Sequence, residues 1–244
     1  ISFITATGGT ISTCGNCRIH TFTGPGTFCV SGLATVAANN QVSYMVVAGG
    51  GGGGCSDYST GGGGAGGFRE DKSPVTPYTA SPLDGAGDIT VTATGFPITV
   101  GGGGAVKVNG NTSTFSSITS AGGGFGGNNP PSNGGPGGSG GGGRSIMDSP
   151  TVSPGGTGNT PPVSPPQGKD GRPGPAMGRQ NGGGGGGGAG VAGTTGSVPT
   201  AGPGGNGVPT GINPSTCVGV PGPAPGRWYA GGGGGGSNAG ADGG

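Results

Sequence analysis

Residues 182–188 are seven consecutive glycines, the longest of several uninterrupted glycine runs in this chain. The other long runs occupy residues 49–54, 61–64, 101–104, 140–143 and 231–236. A glycine run has no side chain to bury, and glycine loses more backbone freedom on folding than any other residue. The fold therefore depends on what the backbone N–H and C=O groups of these runs bond to.

Glycine and proline dominate the rest of the composition as well. The chain holds 73 Gly and 23 Pro among 244 residues, whereas the two together make up roughly 12 % of an average protein. Hydrophobic residues are 27 % and aromatic residues 5 %, too few for a conventional core of Leu, Ile and Phe. Two interpretations of the glycine runs follow: a disordered linker, or several runs packed side by side.

The distribution of glycine favours packed runs over a linker. Flexible linkers mix Gly with Ser and Thr, whereas here Gly is concentrated in blocks and sequence variety lies between the blocks. In collagen, extended helices with three residues per turn pack together where only Gly fits. A pure glycine helix lacks Cβ atoms on every face, so it can have neighbours on all sides. Seven residues of such a helix would span roughly 22 Å.

The first 48 residues have a different pattern. Residues 18–23 and 27–30 alternate polar and apolar residues, and residues 41–47 are rich in β-branched side chains. Residues 2–7 are also β-rich, and Gly, Pro and Asn separate these segments. Such alternation between turn residues is typical of antiparallel hairpins.

Two later segments, residues 88–100 and 114–119, also have the composition of strands. The predicted fold class is therefore all-β and irregular. A small antiparallel β module at 1–48 leads into a bundle of polyglycine II helices with long surface loops at 49–244. No α-helix is expected, because Gly and Pro are too frequent.

Five cysteines, an odd number, leave at least one thiol unpaired within the chain. Cys14 and Cys17 are separated by Gly15-Asn16, which has the spacing of half a zinc or redox site. A zinc site needs a second pair or nearby histidines, and the sequence has one histidine, His20. We favour a local disulfide between Cys14 and Cys17; unpaired structural thiols are the alternative.

Charge and hydropathy argue against two classes of partner. Charged residues are 7 % of the chain and the formal net charge is +1. Nucleic-acid binding needs clustered Lys and Arg, whereas the nine basic residues are scattered. The sequence has no apolar window of about 20 residues, so we expect no membrane insertion.

Catalytic and cofactor motifs are missing from the sequence. A phosphate loop ends in Gly-Lys followed by Ser or Thr, and Gly168-Lys169-Asp170 lacks that hydroxyl. Nucleophilic catalysis needs a base and a group that orients it, and nothing marks such a set around His20. We predict that the chain is not an enzyme and that it binds no cofactor and no metal.

Several segments in order carry a resemblance to a known family. They are residues 7–11, 18–23, 26–28, 44–49, 61–68, 98–101, 113–118, 122–124 and 228–231. Together they resemble the glycine-rich domain of bacteriophage tail-fibre and adhesin-like proteins. The sequence departs from that family pattern at Cys14, Cys17 and Cys29, and its long Pro-rich inserts are its own.

The resemblance implies a sandwich of polyglycine helices whose variable loops face a host. Loops 69–97, 144–181 and 191–227 would then be contact surfaces. The candidate contact residues are Tyr78, Arg144, Arg172, Arg179, Trp228 and Tyr229. Trp228 and Tyr229 have a second interpretation, in which they pack against the end of the glycine bundle.

The function implied by the resemblance is structural and adhesive. We expect a non-enzymatic domain of an extracellular or virion fibre, located on a virion surface or in a cell-surface fibre. Its expected partners are further copies of itself, in a homo-oligomer or fibre, and a host-surface protein or glycan. The alternative is a structural subunit of an extracellular filament or a capsid decoration without receptor binding. The start at Ile1 and the glycine-rich end suggest a processed or partial chain.

Overall fold

A computed structural model describes most of the chain. The described residues are 3–55, 59–130, 132–146, 151–176, 182–215, 217–222 and 226–237. Within these ranges the fold has thirteen short β-strands, one 3-10 helix at Ala37–Asn40 and no α-helix. The predicted class, all-β and irregular, is therefore confirmed.

The strands are short and antiparallel, and most lie in the first half of the chain. Their bounds are β1 Thr5–Thr7, β2 Thr10–Cys14, β3 Cys17–Thr21, β4 Gly26–Gly32, β5 Gln41–Val42, β6 Tyr44–Val47, β7 Phe68–Asp71, β8 Ile89–Thr90, β9 Gly95–Thr99, β10 Ser113–Phe115, β11 Ile118–Ser120, β12 Val208–Thr210 and β13 Arg227–Tyr229. One sheet has five strands in the order β1-β4-β9-β10-β11. The remaining strands form the pairs β2-β3, β5-β8, β6-β7 and β12-β13.

The five-stranded sheet draws strands from both sides of residue 48. β4 pairs with β9, and β9 pairs with β10. The β module predicted for residues 1–48 thus continues into residues 95–120, and the sequence division at 48 does not separate two bodies in space. The segment 114–119, predicted as one strand, is a hairpin of β10 and β11. Its turn places Ser116 at a φ of 54°, a conformation that single-residue propensity does not reveal.

The core of this sheet is aromatic. Phe115 is 8 % exposed, and its ring centre lies 6.2 Å from Phe28, 5.8 Å from Tyr44 and 6.2 Å from Phe96. All three contacts are edge-to-face, an arrangement that ring quadrupoles prefer. His20 joins the cluster edge-on to Phe28, and its Nδ1 lies 2.8 Å from the carbonyl of Gly8. His20 is therefore a packing residue of the sheet.

The glycine runs bond to one another with a period of three residues. In the run 182–188, the N–H groups of Gly182, Gly185 and Gly188 donate to the carbonyls of residues 197, 194 and 191. The next set, at positions 183, 186 and 189, donates to residues 236, 233 and 230. The third set, at 184 and 187, donates to residues 143 and 140. Successive N–H groups thus point in three directions around the run.

The carbonyl groups of the same run accept hydrogen bonds from three further segments. The donors lie in the segments 62–65, 169–172 and 202–205. The run 182–188 therefore has six neighbours, three that accept from it and three that donate to it. These runs and the segments bonded to them are called the glycine bundle below.

Close backbone contact is what requires glycine in the interior of the bundle. A Cβ atom added at Gly186 would lie 2.1 Å from the carbonyl oxygen of Gly63, and one at Gly185 would lie 1.9 Å from that of Pro203. Real Cβ atoms do not approach that closely. The glycines with positive φ lie outside the runs, for example Gly15 in the β2–β3 turn. Space, and not backbone conformation, therefore selects Gly in the runs.

Candidate functional site

The bundle has two ends, because its runs are bonded in register. At one end Ala48 donates to Gly67, Gly67 to Ala121 and Phe68 to Gln167; this is the sheet end, where the β-strands pack. At the other end Gly54 donates to Gly61 and Gly61 to Gly127, and we call it the distal end. The described residues at this end include 55, 59–60, 128–130, 132–133, 144–146, 151–153, 173–176 and 196–202.

The described part of the distal end carries exposed turns and few charged side chains. Residues 197–200 are all exposed and turn back on themselves, with Ser197 N–H donating to Thr200 O at 2.8 Å. Val198 in this turn is 61 % exposed, and Val152 in a neighbouring segment is 52 % exposed. Binding residues are commonly found on loops of this kind, held by a rigid scaffold.

The predicted contact arginines have different environments. Arg172 is exposed and lines an open groove of about 460 Å³ beside Val152 and Asp170. Arg144 is only 7 % exposed, so the prediction of a contact role for it is corrected. Its Nε donates to Ser145 O. Its backbone continues the bundle, with Arg144 N–H donating to Ser132 O at 2.9 Å. Arg179 lies outside the described residues.

The predicted aromatic contacts lie at the opposite, sheet end. Tyr78 is half-buried, with Lys72 Nζ 5.9 Å from its ring centre. Burial, with the nearby Glu70, raises the pKa of Tyr78 well above its ordinary range. Trp228 and Tyr229 are half-buried in β13, which pairs with β12. Tyr229 packs against a second buried cluster, formed by Phe68, Ala189 and Val208. Tyr229 therefore packs at the end of the bundle, and the contact role of Trp228 and Tyr229 stays a prediction.

Residues 167–172, within the segment 144–181 that is predicted as a surface loop, bond to the bundle. Gln167 is 1 % exposed; its carbonyl accepts from Phe68 N–H, and its Oε1 accepts from Ala121 N–H at 2.8 Å. Gly140 and Gly143 donate to Lys169 and Arg172. The participation of segment 167–172 could not be predicted, because it holds two isolated glycines instead of a run.

The predicted disulfide between Cys14 and Cys17 is not formed, and all five cysteines are free thiols. The two residues are register partners that close the β2–β3 hairpin. Partners that close a two-residue turn share hydrogen bonds, which holds their Cα atoms about 5.5 Å apart. That Cα separation lies within the range of disulfides, so the register alone does not explain why the two thiols are free.

Ionisable groups concentrate around β7, whose four residues are all buried. The guanidinium of Arg69 donates to the carbonyls of Pro165, Ser164 and Ala86, so it anchors backbone instead of pairing with an acid. Glu70 is fully buried and accepts from Ser81 N–H and Thr210 Oγ1. These contacts give Arg69 and Glu70 a role in holding loops against the sheet.

Asp71 is a buried carboxyl in this group whose hydrogen bonds are incomplete. It is 5 % exposed; its Oδ1 accepts from Gly87 N–H at 3.2 Å, and its Oδ2 has no hydrogen-bond partner. Burial raises the pKa of Asp71, and the neighbouring carboxylates of Asp88 and Asp84 raise it further. Folding therefore disfavours the charged form of this carboxyl relative to the unfolded chain.

Replacing Asp71 by Asn should stabilise the protein at neutral pH. A carboxyl with a raised folded pKa adds stability below its unfolded pKa and loses it as pH rises through the folded pKa. We expect Asp71→Asn to gain on the order of 1 kcal/mol at pH 7, about 2–4 °C in Tm. The gain should disappear near pH 3, where the wild-type carboxyl is protonated.

Thermal unfolding of both proteins from pH 3 to 8 measures this effect. The control is Asp170→Asn, because Asp170 is exposed while its Oδ1 also accepts a backbone N–H, from Gly158. That variant should leave the difference between pH 3 and pH 7 unchanged. An Asp71→Asn protein that is less stable than wild type at pH 7 would contradict the assignment of a buried, disfavoured charge.

The described residues hold neither a candidate metal site nor a membrane-spanning helix. They contain no cluster of three or more His, Cys, Asp or Glu side chains arranged to hold a metal ion. They also contain no helix with the length and hydropathy needed to cross a membrane.

Comparison with known proteins gives one match. The model of a family described as "Glycine-rich domain" matches residues 23–244, which is most of the chain. Neither the curated proteins nor the solved structures include a match. The matched region contains every long glycine run and all strands from β4 to β13. The chain belongs to the glycine-rich domain family.

Proposed function

We propose that this chain is a non-enzymatic structural and adhesive domain of an extracellular or virion fibre. In this proposal the glycine runs are polyglycine II helices that form a rigid scaffold, and the loops at the distal end contact a host-surface protein or glycan. The observation that carries the proposal is the three-directional bonding of run 182–188 to six neighbours. A scaffold closed by backbone bonds tolerates variation in the loops that join its runs.

The contact surface proposed here is narrower than the sequence indicated. It comprises the turn 197–200, the exposed residues of segment 151–152 and the exposed Arg172, all at the distal end. Loop 69–97 contributes buried residues to the sheet, and the described part of 144–181 contributes residues such as Arg144, Gly156 and Gln167 to the bundle. Removing the whole Pro-rich stretch would therefore damage the scaffold, and point substitutions are the appropriate test.

We expect the double variant Arg172→Ala and Val198→Glu to lose adsorption at least tenfold while folding normally. Both side chains are exposed at the distal end, and central contacts of an interface commonly contribute 2 kcal/mol or more each. The measurement is binding of labelled protein to a panel of intact bacterial cells and purified surface polysaccharides.

The matched control is Arg18→Ala with Val36→Glu, because Arg18 and Val36 are also exposed but lie near the sheet. It should adsorb like wild type. Equal adsorption by the two double variants, or no adsorption of wild type across the panel, would count against the adhesive role.

A structural subunit of a filament without receptor binding is the second candidate. One flank of the bundle leaves backbone amides without acceptors among the described residues, which favours a contact between copies. That observation supports the more specific inference below.

A further inference from the structure

One flank of the bundle carries a long open groove. It lies between the run 49–54 and the run 231–236, its floor is the run 61–67, and its volume is about 410 Å³. Its lining is glycine backbone together with the side chains of three alanines and Val47. No charged residue is among the lining residues, so the groove selects a partner by backbone and shape.

Six backbone amides that line this groove have no acceptor among the described residues. They are the N–H groups of Gly50, Gly53, Gly63, Gly66, Gly231 and Gly234. They form three pairs, one from each run, and the members of each pair are three residues apart. With three residues per turn, both N–H groups of a pair point to the same side of their run.

The two amides on the floor are the most informative, because Gly63 and Gly66 are buried. Buried backbone N–H groups in folded proteins are almost always paired. The other N–H groups of this run have partners: Gly61 and Gly64 donate to residues 127 and 124, and Gly62 and Ala65 donate to residues 184 and 187. The unpaired set therefore marks one missing acceptor and not a poorly formed run.

The number of neighbours gives the same result. The run 182–188 has six neighbours, whereas the run 61–67 has five: 48–54, 121–127, 139–142, 184–187 and 233–236. The groove occupies the sixth side. It has the shape and the donor spacing of a vacant position in the packing of the glycine runs.

We propose that this groove receives a glycine run from a second copy of the chain, whose carbonyl groups accept the unpaired amides. The run that fits is 101–104, because Gly102 and Gly103 are exposed. The carbonyls of Gly101 and Gly104 are three residues apart and accept no bond from the described residues. A Cβ added at Gly102 or Gly103 would meet nothing closer than 3.9 or 3.7 Å, so this run is an open ridge.

The groove and the ridge are different surfaces of one molecule, so their contact is heterologous. Heterologous contacts close into rings or propagate into filaments, depending on the rotation between copies. The inference rests on the proposed structural role of the bundle and makes it specific: the fibre grows by adding glycine runs across the subunit boundary.

Sedimentation velocity of the whole chain over a range of concentrations tests the proposal, with Gly53→Val in the groove and Gly103→Val on the ridge. A Cβ at Gly53 meets nothing within 4 Å, so neither variant should disturb the fold, which thermal unfolding checks. Gly24→Val is the control, because its Cβ also meets nothing within 4 Å and it lies outside groove and ridge. We expect wild type and the control to associate, and each of the two variants to weaken association at least tenfold.

Hydrogen exchange adds a direct readout, since the amides of Gly63 and Gly66 should exchange more slowly in the associated state. A wild type that stays monomeric, or a Gly53→Val protein that associates like wild type, would overturn the proposal. Loss of association in Gly53→Val but not in Gly103→Val would overturn the choice of run 101–104. Protein that adsorbs to cells but never self-associates would refute the groove contact and leave the adhesive function standing.

Discussion

Gly186→Ala should unfold the domain or destabilise it by about 3 kcal/mol or more, although it adds a single methyl group. The added Cβ would lie 2.1 Å from the carbonyl oxygen of Gly63 and 2.5 Å from its carbonyl carbon. Those atoms are backbone, so they cannot rotate away as a side chain would. Relief requires the run 182–188 to separate from 61–67, which also breaks the bonds from Gly62 and Ala65 to residues 184 and 187.

Gly102→Ala is the matched control, and its effect should have the opposite sign. Its Cβ would meet only Asn111 Nδ2, at 3.9 Å, and Gly102 is not among the positive-φ glycines. Replacing Gly by Ala at a compatible position gains about 0.4–1 kcal/mol by restricting the unfolded chain. Denaturant unfolding of the two variants separates the effects. A Gly186→Ala protein as stable as Gly102→Ala would show that the interior runs are not closely packed.

Close packing of the glycine runs could be predicted from the sequence, whereas their arrangement could not. The blocks of glycine indicated close packing of runs, because nothing else compensates for ordering residues without side chains. Which runs are neighbours could not be predicted, since identical glycines carry no information about register. The participation of segment 167–172 was also hidden, because Gln167 acts through its carbonyl and its amide oxygen.

The sheet shows a second limit of sequence-based prediction. β4 and β6 lie in segments predicted as strands from alternation and β-branched residues, but β7 was missed. Its sequence Phe-Arg-Glu-Asp is charged at three of four positions, yet all four residues are buried. The carbonyls that satisfy Arg69, at residues 86, 164 and 165, come from distant loops. No local pattern encodes such partners.

The candidate contact residues were the least predictable part. Arg172 is exposed, whereas Arg144, the same residue type in a similar glycine-rich context, is buried. Backbone bonding does not separate the two, because Arg144 N–H donates to Ser132 O and Arg172 N–H donates to Gly185 O within the same bundle. Exposure at the edge of a bundle thus depends on which segments cover it, and those segments are distant in sequence.

Two buried serine hydroxyls connect the sheet to the bundle, so the two should unfold as one unit. Ser113 Oγ donates to Val47 O at 2.8 Å and accepts from Gly101 N–H at 2.9 Å, which joins β10 to the ends of two glycine runs. Ser120 Oγ donates to Gly67 O at 2.5 Å at the end of the run 61–67. Loss of the aromatic core should therefore loosen glycine runs that contain no aromatic residue.

Phe115→Ala tests this connection, because Phe115 lies at the centre of the aromatic cluster. Truncating a buried Phe to Ala usually costs about 3–5 kcal/mol in unfolding free energy. If sheet and bundle unfold together, the slowest-exchanging amides of runs 61–67 and 182–188 should exchange roughly 100- to 1000-fold faster in the variant. Phe3→Ala is the control, because Phe3 is 60 % exposed and should change neither quantity by much.

The pattern of exchange decides between one cooperative unit and two. Equal acceleration in the glycine runs and in β4 and β10 means that the aromatic sheet stabilises the bundle through Ser113 and Ser120. Acceleration confined to the strands would contradict that connection and make the bundle self-sufficient. In that case its stability would come from backbone hydrogen bonds alone, each with a net contribution of about 0.5–1.5 kcal/mol, opposed by the ordering of glycine. The two outcomes differ clearly in the exchange rate of the glycine runs, because a self-sufficient bundle would keep its slow exchange even when the sheet has lost its central ring.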